Sequence, residues 1–173
     1  NLKLMPTTSW DQIVSMVAEA AKTAKPGEWI IGRGWHQEKW TSRPNPNVEG
    51  FPTHASLDAV SPNNPVLLTH ASGHASFVNA RAMEISDINR STPDPPGGEI
   101  LKDAAGNPTG LLRETASGLV HPGRGDPSRA RKLLELASQE SLSKGVTSFQ
   151  DAGSSFATID LMKQMIDQGQ IGV

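Results

Sequence analysis

The stretch GEILKDAAGNPTGLLRE, from Gly98 to Glu114, leaves the backbone little choice. Two short apolar runs, Ile100 with Leu101 and Leu111 with Leu112, flank a polar turn containing Gly106, Asn107 and Pro108. Apolar runs separated by turn-forming residues are the pattern of an antiparallel hairpin. A different pattern follows. DPSRARKLLELASQESLSKG predicts an amphipathic helix with Asp126 as its cap, Leu133, Leu134, Leu136 and Leu142 on its buried side, and Gly145 as its stop. VTSFQD then reads as a buried strand over Val146 to Gln150, and SFATIDLMKQMIDQG as a second helix ended by Gly169. A helix, strand, helix order belongs to the parallel sheet of an α/β protein.

The segment upstream of the hairpin is less regular. Trp10, Ile13, Val14, Val17 and Ala21 have helical spacing, with Thr8 or Ser9 to cap and Pro26 with Gly27 to stop. WIIGRGW reads as a short strand, followed by a long loop from Gln37 to about Pro52. A helical turn capped by Thr53, a strand over Val66 to Thr69 and a helix over SFVNARAMEI complete this part.

Composition removes several functions. The net charge is -2 and there is no basic block, against a surface that tracks nucleic-acid phosphates. Cysteine is absent, which excludes disulfides, thiolate metal sites and a cysteine nucleophile. No apolar run approaches the roughly 20 residues that span a bilayer, so no membrane partner is expected. A cytoplasmic location is the expectation, with an upstream signal peptide as the alternative. The first residue is Asn1 and the last residues are GQIGV; something upstream is expected to be missing, and the end reads like the approach to another strand.

Candidate chemistry rests on few side chains. Of the five histidines, His70 and His74 have the four-residue spacing of helical zinc pairs, but PVLLTH reads as a strand and Gly73 interrupts them. They are open to a structural reading, to a substrate-facing role for His74, or to ligation. His36 follows Gly-Arg-Gly-Trp at a strand end, so His36, Arg33 and Trp35 are candidates for a substrate pocket or for loop tethering. Trp40 is a further ligand candidate, while Trp29 reads as core. Glu114 at the end of GLLRE could bind a metal or be a solvated charge. Asp151 ends a strand, where α/β proteins gather active sites, or else caps the next helix. His54 and His121 read as loop residues. There is no phosphate loop, no GxGxxG and no GxSxG, and no side chain stands out as a catalytic residue.

Four segments, PGEWIIGRGWHQEKW, LDAVSPNNPVLLTHASGHASFVNARAM, TPDPPGGEILKDAAGNPTGLLRETA and GVTSFQDAG, occur in an order and at separations that resemble the amidohydrolase superfamily. The resemblance is to the amidohydrolase 3 group, which includes N-substituted formamide deformylases, and it covers essentially the whole chain. It implies a (β/α)8 barrel with one or two divalent metals, commonly zinc, at its mouth. There, a metal-bound hydroxide attacks an amide-like carbonyl and an acidic residue manages the proton. The resemblance puts Glu114 near the metal centre and His74 at a polar position near the substrate pocket.

The departures set the remaining expectations. The first-strand His-x-His pair and the later histidine and aspartate strands of the group are missing. The chain thus resembles an internal region of a partial metal-dependent hydrolase barrel, of α/β class. Residues 1–125 would be an irregular α+β region with the hairpin, inserted near the barrel mouth, and 126–173 a helix-strand-helix piece of the barrel. A parent enzyme would cleave a carbon-nitrogen bond of a small-molecule substrate with a divalent metal, zinc being expected. The isolated chain is expected to be inactive, to hold no metal stably, and to self-associate through unpaired strand edges. The alternative is a non-catalytic small-molecule binding or assembly module of the same descent.

Overall fold

The computed structural model describes residues 1–122, 127–151 and 153–172. The chain forms two compact units, Asn1–Pro122 and Gly123–Val173. The expected cap Asp126, and with it the expected boundary between 125 and 126, lies outside the described residues.

In the first unit the elements are β1 (Leu2–Lys3), α1 (Trp10–Thr23), β2 (Ile30–Trp35), β3 (Asn47–Val48), β4 (Phe51–Pro52), α2 (Ala55–Val60), β5 (Val66–His70), β6 (Ala75–Val78), α3 (Ala80–Ile85), β7 (Gly98–Lys102) and β8 (Pro108–Glu114). Six strands make one sheet in the order β1-β2-β5-β6-β8-β7, while β3 and β4 form a separate two-stranded hairpin. β1, β2 and β5 run parallel, and β5, β6, β8 and β7 pair antiparallel. The mixed α/β class agrees with expectation. The hairpin forms as β7 and β8, and Asp103 holds its turn by accepting from the backbone N–H groups of Ala105 and Asn107.

Apolar doublets explain why this sheet is covered on both faces. Successive strand residues point to opposite sides. Leu68, Phe77, Leu101 and Leu111 enter one core with Ile13 and Val17 of α1 and Leu57 of α2. Their neighbours Leu67, Val78, Ile100 and Leu112 join the other core with Ala82 and Met83 of α3. Burying each such side chain contributes roughly 1.5–3 kcal/mol.

Two sequence expectations are corrected here. SFVNARAMEI is not one helix: Phe77 lies on β6, and the helix begins only after Asn79. Phe77 pairs in register with Leu68 on one side and Leu111 on the other, so strand burial wins over helical propensity. Asn79 then caps α3 and is fully buried. Its Oδ1 accepts from the backbone N–H of Val66 (2.9 Å) and Ala82 (3.0 Å), and its Nδ2 donates to the carbonyls of Ser61 (3.1 Å) and Asn64 (2.9 Å). Thr53 is not the cap of α2; His54 occupies that position. Ser9 caps α1 by accepting from Gln12.

The second unit contains α4 (Pro127–Ser143) and α5 (Phe156–Asp167). Both helices end in Schellman motifs at the glycines expected to stop them. Val146 N–H donates to Ser141 and Gly145 N–H to Leu142, while Gln170 N–H donates to Met165 and Gly169 N–H to Ile166. Gly145 and Gly169 have φ of 75° and 67°, which L side chains rarely adopt. Arg131 of α4 donates to Gln164 of α5 at 2.6 Å. The expected strand over Val146 to Gln150 is not formed: these residues are irregular, and Val146 and Phe149 are exposed. A strand exists only through its ladder partners, and none of the strands among the described residues pairs with this segment.

Candidate functional site

The ends of β5 and β8 and the starts of β6 and β7 surround a pocket of about 520 Å³. Trp35, Phe51, Ala75 and Leu111 give it an apolar wall; Gln37, His70, Ser72, His74, Glu99, Arg113 and Glu114 give it a polar rim. An apolar pocket with a few convergent polar groups is the usual form of a small-molecule site.

His74 and Glu114 meet at this rim. His74 Nδ1–H donates to Glu114 Oε2 at 2.9 Å, and the backbone N–H of Glu114 donates to the carbonyl of His74 at 2.8 Å. The second bond extends the β6–β8 ladder, in which Ala75 faces Arg113, and so fixes the first. Glu114 ends β8 with φ 50° and ψ -125°, a conformation that favours glycine. A carboxylate held on such a backbone stores strain of about 1–3 kcal/mol, of the kind found where a side chain must be aimed.

His70 lies deeper, 8% exposed. Its Nε2 donates to Gln37 Oε1 at 3.1 Å, and its Nδ1 accepts from the N–H and hydroxyl of Ser72. That network requires the neutral tautomer with the proton on Nε2. Burial, reinforced by the nearby His36 and His74, lowers its pKa below the ordinary value of 6.5. Its ring packs edge-on against Trp35, centroids 4.5 Å apart.

Arg113 closes the opposite side. Its Nη1 donates to Glu99 at 2.6 Å, across the β7–β8 pair, and its Nη2 to Glu49 of the β3–β4 hairpin at 2.9 Å. Burial works against its charge, but the two carboxylates outweigh it and raise the guanidinium's pKa. The guanidinium carbon also stands 5.3 Å from the centre of the Phe51 ring.

The structure brings together His70, His74, Glu114 and Trp35 among the residues singled out from the sequence. Arg33, His36, Trp40 and Asp151 fall outside the lining. Arg33 is exposed on β2: alternation alone would put it on the face of Trp35, two residues on, but the register shifts between the two. His36 faces its own loop: its Nδ1 accepts from Glu38 N–H and caps the 3-10 turn Gln37–Lys39, while its ring lies 4.7 Å from that of His70. Asp151 lies in the second unit, where it accepts from Gly153 N–H and the Ser154 hydroxyl ahead of α5. Those bonds hold its carboxyl below the usual range. The cap of α5 is Ser155, whose hydroxyl accepts from Thr158 N–H, so Asp151 orders the turn before the helix and does not cap it. Trp40 stacks on Trp35 at 6.1 Å. The sequence reading passed over Gln37, Phe51, Glu99 and Arg113. The register of the hairpin could have found Glu99 and Arg113, since they face each other across it, but Phe51 and Gln37 come from a loop with no periodic signal.

Whether these residues can hold a metal is a question of donors. Among the described residues no three His, Asp or Glu side chains converge on one point. At the pocket His74 and Glu114 form a two-member His–carboxylate pair, bonded to each other; His54 and Asp58 form another away from it. Zinc sites take three or four protein ligands, so this chain's described residues do not complete one. Among the same residues no helix is long and apolar enough to cross a membrane.

A mixed α/β unit with a His–Glu pair at strand ends beside an apolar pocket is a scaffold for small-molecule chemistry. The model of the amidohydrolase family matches residues 1–173, and the chain belongs to that family. It is 32% identical over 172 residues to the N-substituted formamide deformylase of Arthrobacter pascens, covering 96% of this chain and 31% of that protein. It is 38% identical over 119 residues to the putative amidohydrolase YtcJ of Bacillus subtilis (strain 168), covering 69% of this chain and 21% of that protein. The crystal structure of an uncharacterized metal-dependent hydrolase from Pyrococcus horikoshii OT3 superposes with a TM-score of 0.62 over 99% of this chain and 31% of that one, at 18% identity, which shows a shared fold. The chain thus spans under a third of the length of these relatives.

Proposed function

We propose that this chain is the part of a metal-dependent amidohydrolase that forms one wall of its substrate pocket, within a (β/α)8 barrel. The whole protein hydrolyses a carbon-nitrogen bond of amide or formamide type in a small molecule, using water activated by a divalent metal, with zinc the first candidate. The isolated chain is inactive, because its described residues bring at most two candidate donors together. The observation that carries this reading is the His74–Glu114 pair, held by a strained strand end at the rim of an apolar pocket. Family membership and the similarity to a formamide deformylase support the choice of bond. In this reading Glu114 stands at or next to the metal and His74 faces the substrate.

The test uses the full-length protein, N-substituted formamides as substrates, and metal analysis. Glu114→Ala is expected to reduce turnover at least ~100-fold, the scale of losing a group that acts on the reacting atoms. His74→Ala is expected to change substrate preference while metal content stays constant. Unchanged turnover and unchanged metal content in Glu114→Ala would remove that residue from the site. A full-length protein that hydrolyses no amide or formamide sinks the reading itself.

A further inference from the structure

The β3–β4 hairpin supplies Phe51 to the pocket wall, yet it is not part of the main sheet. Each of its strands has two residues, and its loop is Glu49 and Gly50, both at positive φ (54° and 86°). Two such central residues define a tight turn of the I′ kind, so the hairpin has a definite shape of its own. A two-stranded ribbon of this size has little stability in water. Its position over the pocket therefore depends on what grips it.

Arg113 grips it at two points. One guanidinium nitrogen binds Glu49 beside the turn (2.9 Å), and the guanidinium face lies over the Phe51 ring at 5.3 Å, within cation–π range. The other terminal nitrogen is fixed to Glu99 at 2.6 Å, and Glu99 faces Arg113 across the β7–β8 ladder. Only a planar fork with two separate donor edges can hold both carboxylates while presenting its face to a ring; a lysine ammonium cannot. From the other side Trp35 meets Phe51 edge-on, centroids 6.4 Å apart. Phe51 is thus held between an indole fixed in the core and a guanidinium anchored on the sheet.

We propose that Arg113 is a positioning and specificity residue: through Glu49 and Glu99 it sets Phe51 as the outer wall of the pocket, and this wall, with Trp35, selects substrates whose nitrogen substituent is large and aromatic. Arg113 does not touch the reacting bond in this assignment. Its charge is satisfied by two carboxylates, so it is a brace and not an anion receptor. The inference deepens the reading above and rests on it for the nature of the substrate.

The experiment compares N-(naphthylmethyl)formamide with N-methylformamide on the full-length protein, by turnover and by equilibrium binding. Arg113→Met is expected to lower kcat/KM for the aromatic compound roughly tenfold more than for the methyl compound, mostly through KM, the size of effect available from a misplaced apolar wall. Arg113→Lys should recover little of that selectivity. Glu49→Gln leaves the Arg113–Glu99 pair in place, loosens only the hairpin, and should shift selectivity in the same direction, which keeps the test sound if Arg113→Met misfolds. Equal losses on both compounds, or none in any variant, overturn the proposal and leave Arg113 a structural residue. Should the wild type bind the formamides without hydrolysing them, the hydrolase reading fails, and the ratio of affinities still decides the role of Arg113. A wild type that binds neither overturns both.

Discussion

His74 and Glu114 are joined twice, by a 2.9 Å bond between their side chains and by a 2.8 Å bond from the Glu114 backbone N–H to the His74 carbonyl. Both side chains are largely exposed, so the pair contributes little to stability. The backbone bond holds Glu114 where its Cβ is strained, at φ 50°. A residue kept there at a cost in stability is best explained by what its carboxylate does.

That cost is measurable. Glu114→Gly relieves the strain, about 1–3 kcal/mol, against an entropic loss of roughly 0.5–1 kcal/mol for glycine. Glu114→Ala loses the same carboxylate but keeps the Cβ. The two terms leave the glycine variant more stable than the alanine variant by up to about 2.5 kcal/mol, centred near 1, read from urea midpoints at constant slope. Equal midpoints would mean that the position is not strained, and the case for aiming would weaken.

His70 makes stability depend on pH in a known direction. Its folded pKa lies below the ordinary value of 6.5, so the unfolded chain binds a proton more readily. Its contribution is present in full above about that value and is lost as pH falls toward the folded pKa. Denaturation midpoints should therefore drop as pH falls through about 6.5, and His70→Gln should flatten that drop. Asp103 and Asp151, whose pKa values are lowered from 3.8, lose their contributions only at lower pH and do not enter this window. A slope that His70→Gln leaves intact would assign it to another group.

Local signals in the sequence located much of this fold. The hairpin of β7 and β8, the helix α1 with its Ser9 cap, and the glycine stops of α4 and α5 rest on interactions within a few residues, and pattern exposes these. Phe77 and the segment around Phe149 were misread for the opposite reason. Phe77 is a strand residue because Leu68 and Leu111 flank it, and the segment Val146 to Gln150 is irregular because nothing among the described residues pairs with it. Of the residues singled out from the sequence, Trp35 and Glu114 end apolar strands and His70 and His74 came from their spacing, and these four line the pocket. Phe51 and Gln37 reach it from a loop, and their place depends on contacts that no spacing encodes.

Gly110 tests the close approach of β6 and β8. Its φ is 101°, and a Cβ there would lie 2.4 Å from the Val78 carbonyl oxygen. That neighbour is backbone in the middle of the sheet and cannot swing aside. Gly110→Ala should cost well over ~1 kcal/mol, seen as a lowered urea midpoint. A midpoint within error of the wild type would show that the two strands can separate at no cost.

Asn79 is the residue on which the order of β5, β6 and α3 depends, and it gave no signal of this in the sequence. Its Oδ1 serves two backbone N–H groups and its Nδ2 two carbonyls, all at 2.9–3.1 Å and all buried. Asn79→Ala removes the cap of α3, about 1 kcal/mol, and leaves further buried groups unpaired at about 1–3 kcal/mol each. A loss of at least ~2 kcal/mol is expected. Asn79→Asp is the sharper variant, because it preserves shape and the two accepted bonds. It turns a carboxylate oxygen toward the Ser61 and Asn64 carbonyls, where only a donor fits. It should destabilise the fold more at neutral pH than at acid pH, where a protonated carboxyl can donate to one of them. The measurement is the urea midpoint of each variant at both pH values, referred to the wild type at the same pH. If Asn79→Asp is as stable as the wild type at neutral pH, the Nδ2 bonds carry no weight and the junction is held by apolar packing alone.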